Sequence, residues 1–215
     1  MSKQKEKGSA RRGFGRFLIV IGILAIAAGI GLYLYNMWDS NRAGEASDQI
    51  LDEMQDKISE EEEDDSEDVL DPTSTEMPTM EIDGHTYIGW LDVPCYDLEL
   101  PVMAEWSYDN LRISPCLYSG SYLTGDMVIC GHNYARHFSP LKWIDIGEDI
   151  YFTTVDGDVY HYTVSNRETV RPTSVEQMIE NDKNSSSSSD WDMTLFTCTT
   201  GGQTRCAVRC ILADD

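Results

Sequence analysis

Beyond its first 16 residues the sequence has little positive charge. Residues 1–16 hold six Lys and Arg against one acid, Glu6, whereas the rest holds 10 Lys and Arg against 37 Asp and Glu. The net charge of −22 therefore divides into +5 and −27. Nucleic acids and anionic lipid surfaces attract proteins through basic charge. The acidic sum argues against a nucleic-acid partner held by general electrostatics. Histidine is also scarce: His85, His132, His137 and His161 are the whole supply of imidazole for proton transfer. Six cysteines are present, but their spacing is not that of a simple disulfide framework. Cys206 and Cys210 stand in a strand-like run, about 13 Å apart, out of disulfide reach of each other.

One long apolar run is present. Phe17–Tyr35 (FLIVIGILAIAAGIGLYLY) is 19 residues without a charge, close to the ~20 that cross a bilayer as a helix. Basic residues precede it and acidic ones follow. The positive-inside rule then places the N-terminus in the cytoplasm and residues 36 onward outside, in a single-pass cell-membrane protein. A cleaved signal peptide has a shorter apolar core, about 7–15 residues, and a small-x-small cleavage site. Trp38 suits an interfacial anchor, so the segment reads as an uncleaved signal anchor.

The remainder divides by composition. Residues 1–16 are a basic cytoplasmic tail, 17–35 the anchor, 36–80 an acidic extracellular linker, and 81–215 the globular domain. Within the linker, Ser47–Ile58 is predicted as a short helix with Ile50, Leu51, Met54 and Ile58 on one side. The runs SEEEEDDSED (59–68) and DPTSTEMPTM (71–80) are predicted to stay extended as a stalk. A calcium site in the acidic run is disfavoured because nothing fixes the ligand geometry. From Ile82 onward short β-type runs follow one another: HTYIGWLDV, LELPVMA, GDMVICGH, DIYFTTV, DVYHYTVSN, MTLFTCT and TRCAVRCIL. Gly, Pro, Asp and Asn breakers lie between them, and Asp156-Gly157 stands at hairpin spacing. Helical segments are expected at PLKWIDI and over 173–182, and NDKNSSSSSD (181–190) as a flexible loop. The fold class is mainly β, a closed barrel or sandwich with a few short helices.

WDMTLFTCTTGGQTRCAVRC (191–210) carries the chemistry. A two-residue turn at Gly201-Gly202 sets Thr199 opposite Thr204 and Cys198 opposite Arg205. Opposed residues share a sheet face, with Cβ atoms about 5 Å apart. Thr194, Phe196 and Cys198 thus face Arg209, Ala207 and Arg205. The other face of the last strand, Cys206, Val208, Cys210 and Leu212, is an apolar set of period two and reads as core. Cys198 alone of the three cysteines here lies beside a guanidinium, which favours the nucleophilic thiolate and can stabilise an oxyanion. Arg209 is two pleats further away. A cysteine nucleophile needs a proton donor for its leaving group. His132, after Gly131 at the end of an apolar strand, is the leading candidate and His137 the weaker one. His85 and His161 read as structural or surface residues.

TLFTC at 194–198 resembles the TLxTC signature of sortases, the membrane-anchored cysteine transpeptidases of Gram-positive bacteria. GHNYARHFSPL (131–141) resembles the segment that bears their essential His, with Phe138 and Leu141 in the short helix that follows. Arg205 fits the family's Arg on the next strand, and IGWLDVPCYDLELPVM resembles its first two strands. The likeness covers residues 82–212, behind the anchor and stalk. It implies a closed eight-stranded sortase β-barrel over 81–215. It implies that Cys198 attacks the Thr–Gly carbonyl of an LPxTG-like sorting signal, that His132 protonates the leaving amine, and that Arg205 positions the substrate and stabilises the oxyanion. Thr197, Phe196 and Asn133 would contact substrate. The thioacyl-enzyme would pass to an amine of a lipid-linked peptidoglycan precursor or a pilin lysine, with no metal and no cofactor.

Subclass features point to compact class D-like or short class B-like members. No large helical insertion separates His132 from Cys198, and no second membrane segment follows the domain. The sequence DPT at 71–73 lacks the aromatic ring of the polymerase lid. Asn166–Asp190 is expected to wall the substrate groove. A papain-like protease is excluded by residue order, since there the Cys precedes the His. The non-enzymatic alternative is an anchored all-β adhesion or sensor module with Cys198 as a core thiol.

Overall fold

The computed structural model describes residues 3–63, 76–179 and 191–213. The chain forms two compact units, residues 1–41 and 42–215. The first is helical, part of α1 (Lys3–Glu63). Within Phe14–Ser59 an 18-residue window reaches a mean hydropathy of 2.6 with none of it buried. This one helix is long and apolar enough to span a membrane. Residues 36–63, expected to be linker with a short helix at 47–58, are helical throughout. No proline interrupts them, and packing of the second half on the barrel stabilises what propensity alone leaves marginal. Residues 59–63 of the acidic run, expected to be extended, are helical, while its second half (64–68), the start of 71–80 and the serine loop 181–190 lie outside the described residues.

The second unit is a closed barrel. Its strands are β1 (Met80–Ile82), β2 (His85–Val93), β3 (Leu98–Met103), β4 (Cys116–Ser119), β5 (Met127–Gly131), β6 (Asp149–Thr154), β7 (Val159–Val170), β8 (Met193–Cys198) and β9 (Arg205–Leu212). Their spatial order is β1-β2-β3-β4-β5-β8-β9-β7-β6, and a β2–β6 pairing closes the ring. Eight strands, β2 to β9, form the barrel, and the short β1 pairs along the first residues of β2. A five-residue helix, α2 (Val175–Ile179), precedes β8. Pro140–Trp143, expected as helix, is a single 3-10 turn.

Two pairings position the site. β5 and β8 run parallel, so both strands end on the same rim, with Gly131 opposite Thr197. β9 runs antiparallel to β8 and starts on that rim, with Arg205 opposite Cys198. The barrel interior holds Leu91, Ile129, Phe152, Met193, Leu195 and Val208, together with Cys206 and Cys210. Leu212, read as part of the same apolar face, is exposed. β8 begins opposite Cys210, so residues 211 and 212 have no β8 neighbour to cover them.

The outer face of the same strands is covered too. Ile50 and Met54 of α1, Met178 of α2 and Trp191 pack with Tyr87, Met103, Val128 and Phe196 in a second core layer. Polar main-chain anchors accompany this packing: Ser47 Oγ donates to Ile113 O at 3.1 Å and Lys57 Nζ to Glu81 O at 3.0 Å.

Candidate active site

Cys198 ends β8, the strand between β5 and β9. On one side the register places Arg205 directly opposite. The turn predicted at Gly201-Gly202 is present, with φ of +83° and +70°, values that glycine adopts without Cβ strain. Thr199 N and Thr204 O close it at 3.0 Å. On the other side Gly131 faces Thr197, so the next residues, His132 and Cys198, follow the same end of two adjacent parallel strands. The three residues that sequence reasoning singled out for catalysis thus meet on one rim.

Each has its own support. A Cβ on Gly131 would lie 2.4 Å from the Phe138 ring, so only glycine lets that ring close over the strand end. Phe138 N then donates to His132 O at 3.2 Å, folding 132–138 into a tight loop. The imidazole of His132 is half-buried and stacks on Tyr134, with centroids 3.9 Å apart and planes 13° apart. Arg205 donates from Nη1 to Gly202 O and Thr204 O, both at 3.2 Å.

Beside Cys198 a groove of about 180 Å³ runs along the outer face of the barrel. Phe196, Thr197, Cys198 and Arg205 border it, with Trp106, Tyr108 and Tyr118 on one flank and Pro172, Val175 and Met178 on the other. Phe196 meets Tyr118 edge-on at 5.2 Å, and Tyr118 meets Trp106 at 5.6 Å. Trp106 and Tyr108 came from a segment that sequence reasoning left unassigned; an aromatic pair between two strand runs was the available signal. Pro172, Val175 and Met178 fall within the stretch expected to wall the groove. Thr197 is 2% exposed, and among the described residues its Oγ1 has no hydrogen-bond partner. Asn133 accepts a hydrogen bond from Lys142 Nζ at 2.6 Å, and neither it nor His132 borders the groove.

The other ionisable groups separate from these. All six cysteines are free thiols. Burial raises the thiol of Cys116 to about 12 and pushes those of Cys130, Cys206 and Cys210 up as well. Burial, with Glu148 nearby, also raises exposed Cys95. These five are held as thiols. His161 pairs with Asp149 at 2.9 Å on the exposed side of β7. His137 is fully buried against α1, and burial, with smaller effects of His132 and Arg136, lowers its pKa to about 4 despite a hydrogen bond to Ala43. Arg209 is buried under α2. It donates to Glu168 Oε1 (3.0 and 3.1 Å), Met178 O (2.9 Å) and Thr194 Oγ1 (2.7 Å). It holds the groove wall and does not face Cys198.

A sortase-domain family model matches residues 91–213, more than half of the chain. The chain belongs to the sortase family. Sortase A of Bacillus anthracis is 24% identical over 191 residues, covering 85% of this chain and 87% of that protein. Among solved structures, Streptococcus pneumoniae Sortase C superposes with a TM-score of 0.57 at 23% identity, over 78% of this chain and 97% of that one. The Clostridium perfringens Sortase D5 transpeptidase also gives 0.57, at 20% identity, over 79% and 99%. These two share the fold. Family membership makes this sortase a cysteine transpeptidase of surface proteins, and its N-terminal apolar helix fits a membrane-anchored one.

Proposed function

We propose that this sortase cleaves an LPxTG-like sorting signal between Thr and Gly through a thioacyl-enzyme on Cys198, and passes the acyl group to an amine. The observation that carries the reading is the placement of Cys198 between the ends of β5 and β9, with His132 on one side and Arg205 on the other. Cys198 Sγ attacks the Thr carbonyl carbon. Arg205 exchanges its turn carbonyls for the developing oxyanion, whose charge it stabilises. His132 gives a proton to the Gly nitrogen as the C–N bond breaks. An incoming amine then attacks the thioester, loses a proton to His132, and releases the Cys198 thiolate. Phe196 and its aromatic neighbours receive the apolar residues of the signal, and Thr197, whose side chain turns inward, contributes through its main chain. Asn133 orders the loop through Lys142. The acceptor is an amine of a lipid-linked peptidoglycan precursor or a pilin lysine, and the domain lies outside the cell.

The test uses the full chain in detergent micelles with a panel of LPxTG-like peptides, read by intact-protein mass spectrometry. The expected outcome is an added acyl mass on the wild type, absent from Cys198→Ala. A folded protein that takes up no acyl group from any peptide, and whose Cys198 resists alkylation, would favour the non-enzymatic module.

A further inference from the structure

The loop that carries His132 touches α1 at buried contacts that the proposed chemistry does not use. Ala43 and His137 are fully buried and Ser47 is 1% exposed. Ser47 Oγ donates its single proton to Ile113 O, so it turns a lone pair toward His137 Nε2, 3.4 Å away. The Nε2–H of His137 therefore points at the helix, whose Ala43 backbone also favours the protonated imidazole. Arg136, the preceding residue, pairs with Asp48 at 2.7 Å. A Cβ on Gly44 would lie 2.5 Å from Arg136 Nε, so the helix surface is hollowed where the loop arrives. From His137 the contacts continue inward: Tyr134 meets it edge-on at 5.5 Å and stacks on His132 at 3.9 Å.

We propose that Ser47 and His137 are positioning residues for the reaction: α1 holds the 132–138 loop through them, and Tyr134 passes that constraint to the ring of His132. Both flanks of the Tyr134 ring are then fixed, one by the His132 stack and one by His137. A proton donor placed 1 Å from its working position can lose about 10²-fold in rate. Loosening of the 132–138 loop through His137 is expected to lower turnover with little effect on binding, because those residues do not border the groove, whereas Ser47 also holds Ile113 O, two residues from the groove-lining Leu111. The inference rests on the proposed role of His132 as the acid.

The test compares full-chain variants in micelles. His137→Leu is expected to lower kcat for acylation about tenfold with KM changed by less than about twofold, and Ser47→Ala to lower kcat similarly while also raising KM through the released Ile113. His137→Gln, which keeps an N–H donor, should recover most of the rate. Lys57→Met removes another contact of the same helix, to Glu81 O, and should leave kcat unchanged. Thermal midpoints are recorded for all four. Lowered midpoints with wild-type kcat in Ser47→Ala and His137→Leu would overturn the proposal, as would an equal kcat loss in Lys57→Met. If the wild type accepts no peptide, the reading of His132 fails separately. The pH profile of Cys198 alkylation then decides: a profile displaced by Ser47→Ala supports the positioning chain, and an unchanged one overturns it.

Discussion

The two arginines of β9 show how one strand divides its labour by residue. Arg205 stands opposite Cys198 at the rim, with its guanidinium on turn carbonyls it can leave. Arg209 is 6% exposed, bonded to groups on β7, β8 and α2, and lies 5.0 Å over the Trp191 ring. Arg205→Ala should lower kcat/KM about 10²- to 10³-fold without moving the thermal midpoint. Arg209→Ala leaves the buried acceptors Met178 O and Thr194 Oγ1 without their donor, while the partly exposed Glu168 carboxylate turns to water, and should cost about 1–3 kcal/mol of stability. Acylation kinetics beside thermal denaturation separate the two outcomes; a folded, stable Arg209→Ala with lost activity would reverse the assignment. The Cys198–Arg205 pairing was legible in the sequence because Gly201-Gly202 sets the register locally. The meeting of His132 with Cys198 was legible only through family resemblance. It depends on a parallel pairing across 66 residues, and nothing in the spacing announces which strands become neighbours.

At the scale of elements, the second half of α1 is the largest difference between sequence and structure. Its apolar stripe was legible, and Ile50, Leu51 and Met54 are indeed buried. Its docking surface was not, because it is assembled from Glu81, Ile113 and the His137 loop, which lie far apart in sequence. The docking has a pH signature. Burial lowers His137 from 6.5 to about 4, so the unfolded chain binds the proton more readily than the folded one between those values. The contribution of a neutral His137 is fully present above pH ~6.5 and lost as pH falls toward ~4, about 3 kcal/mol in total. Denaturant unfolding at about pH 7 and about pH 4.5 should therefore show a larger acid loss for the wild type than for His137→Gln. Carboxylates add their own slope to both proteins, and the difference isolates the imidazole. Equal losses would place the protonation of His137 outside the docked state.

For the whole molecule the governing fact is the uneven charge, +5 over residues 1–16 and −27 over the rest. Basic residues beside an apolar span stay on the cytoplasmic side, and this rule carries the proposed orientation with the barrel outside the cell. The cysteines supply the means to test this. Cys95 is exposed and Cys198 partly so, while Cys116, Cys130, Cys206 and Cys210 are buried. A membrane-impermeant maleimide added to intact cells should label the wild type, and the Cys95→Ser Cys198→Ala double variant should take up almost none. Labelling of the wild type only after lysis would place the barrel in the cytoplasm. Replacing Arg11, Arg12 and Arg16 by Glu should lower the share labelled from outside, because the N-terminal flank would then lose three of the six Lys and Arg on which the proposed orientation depends. A double variant that labels as strongly as the wild type would mean that the buried thiols open to solvent. Charge asymmetry and thiol burial thus enter one experiment, and each has an outcome that contradicts it.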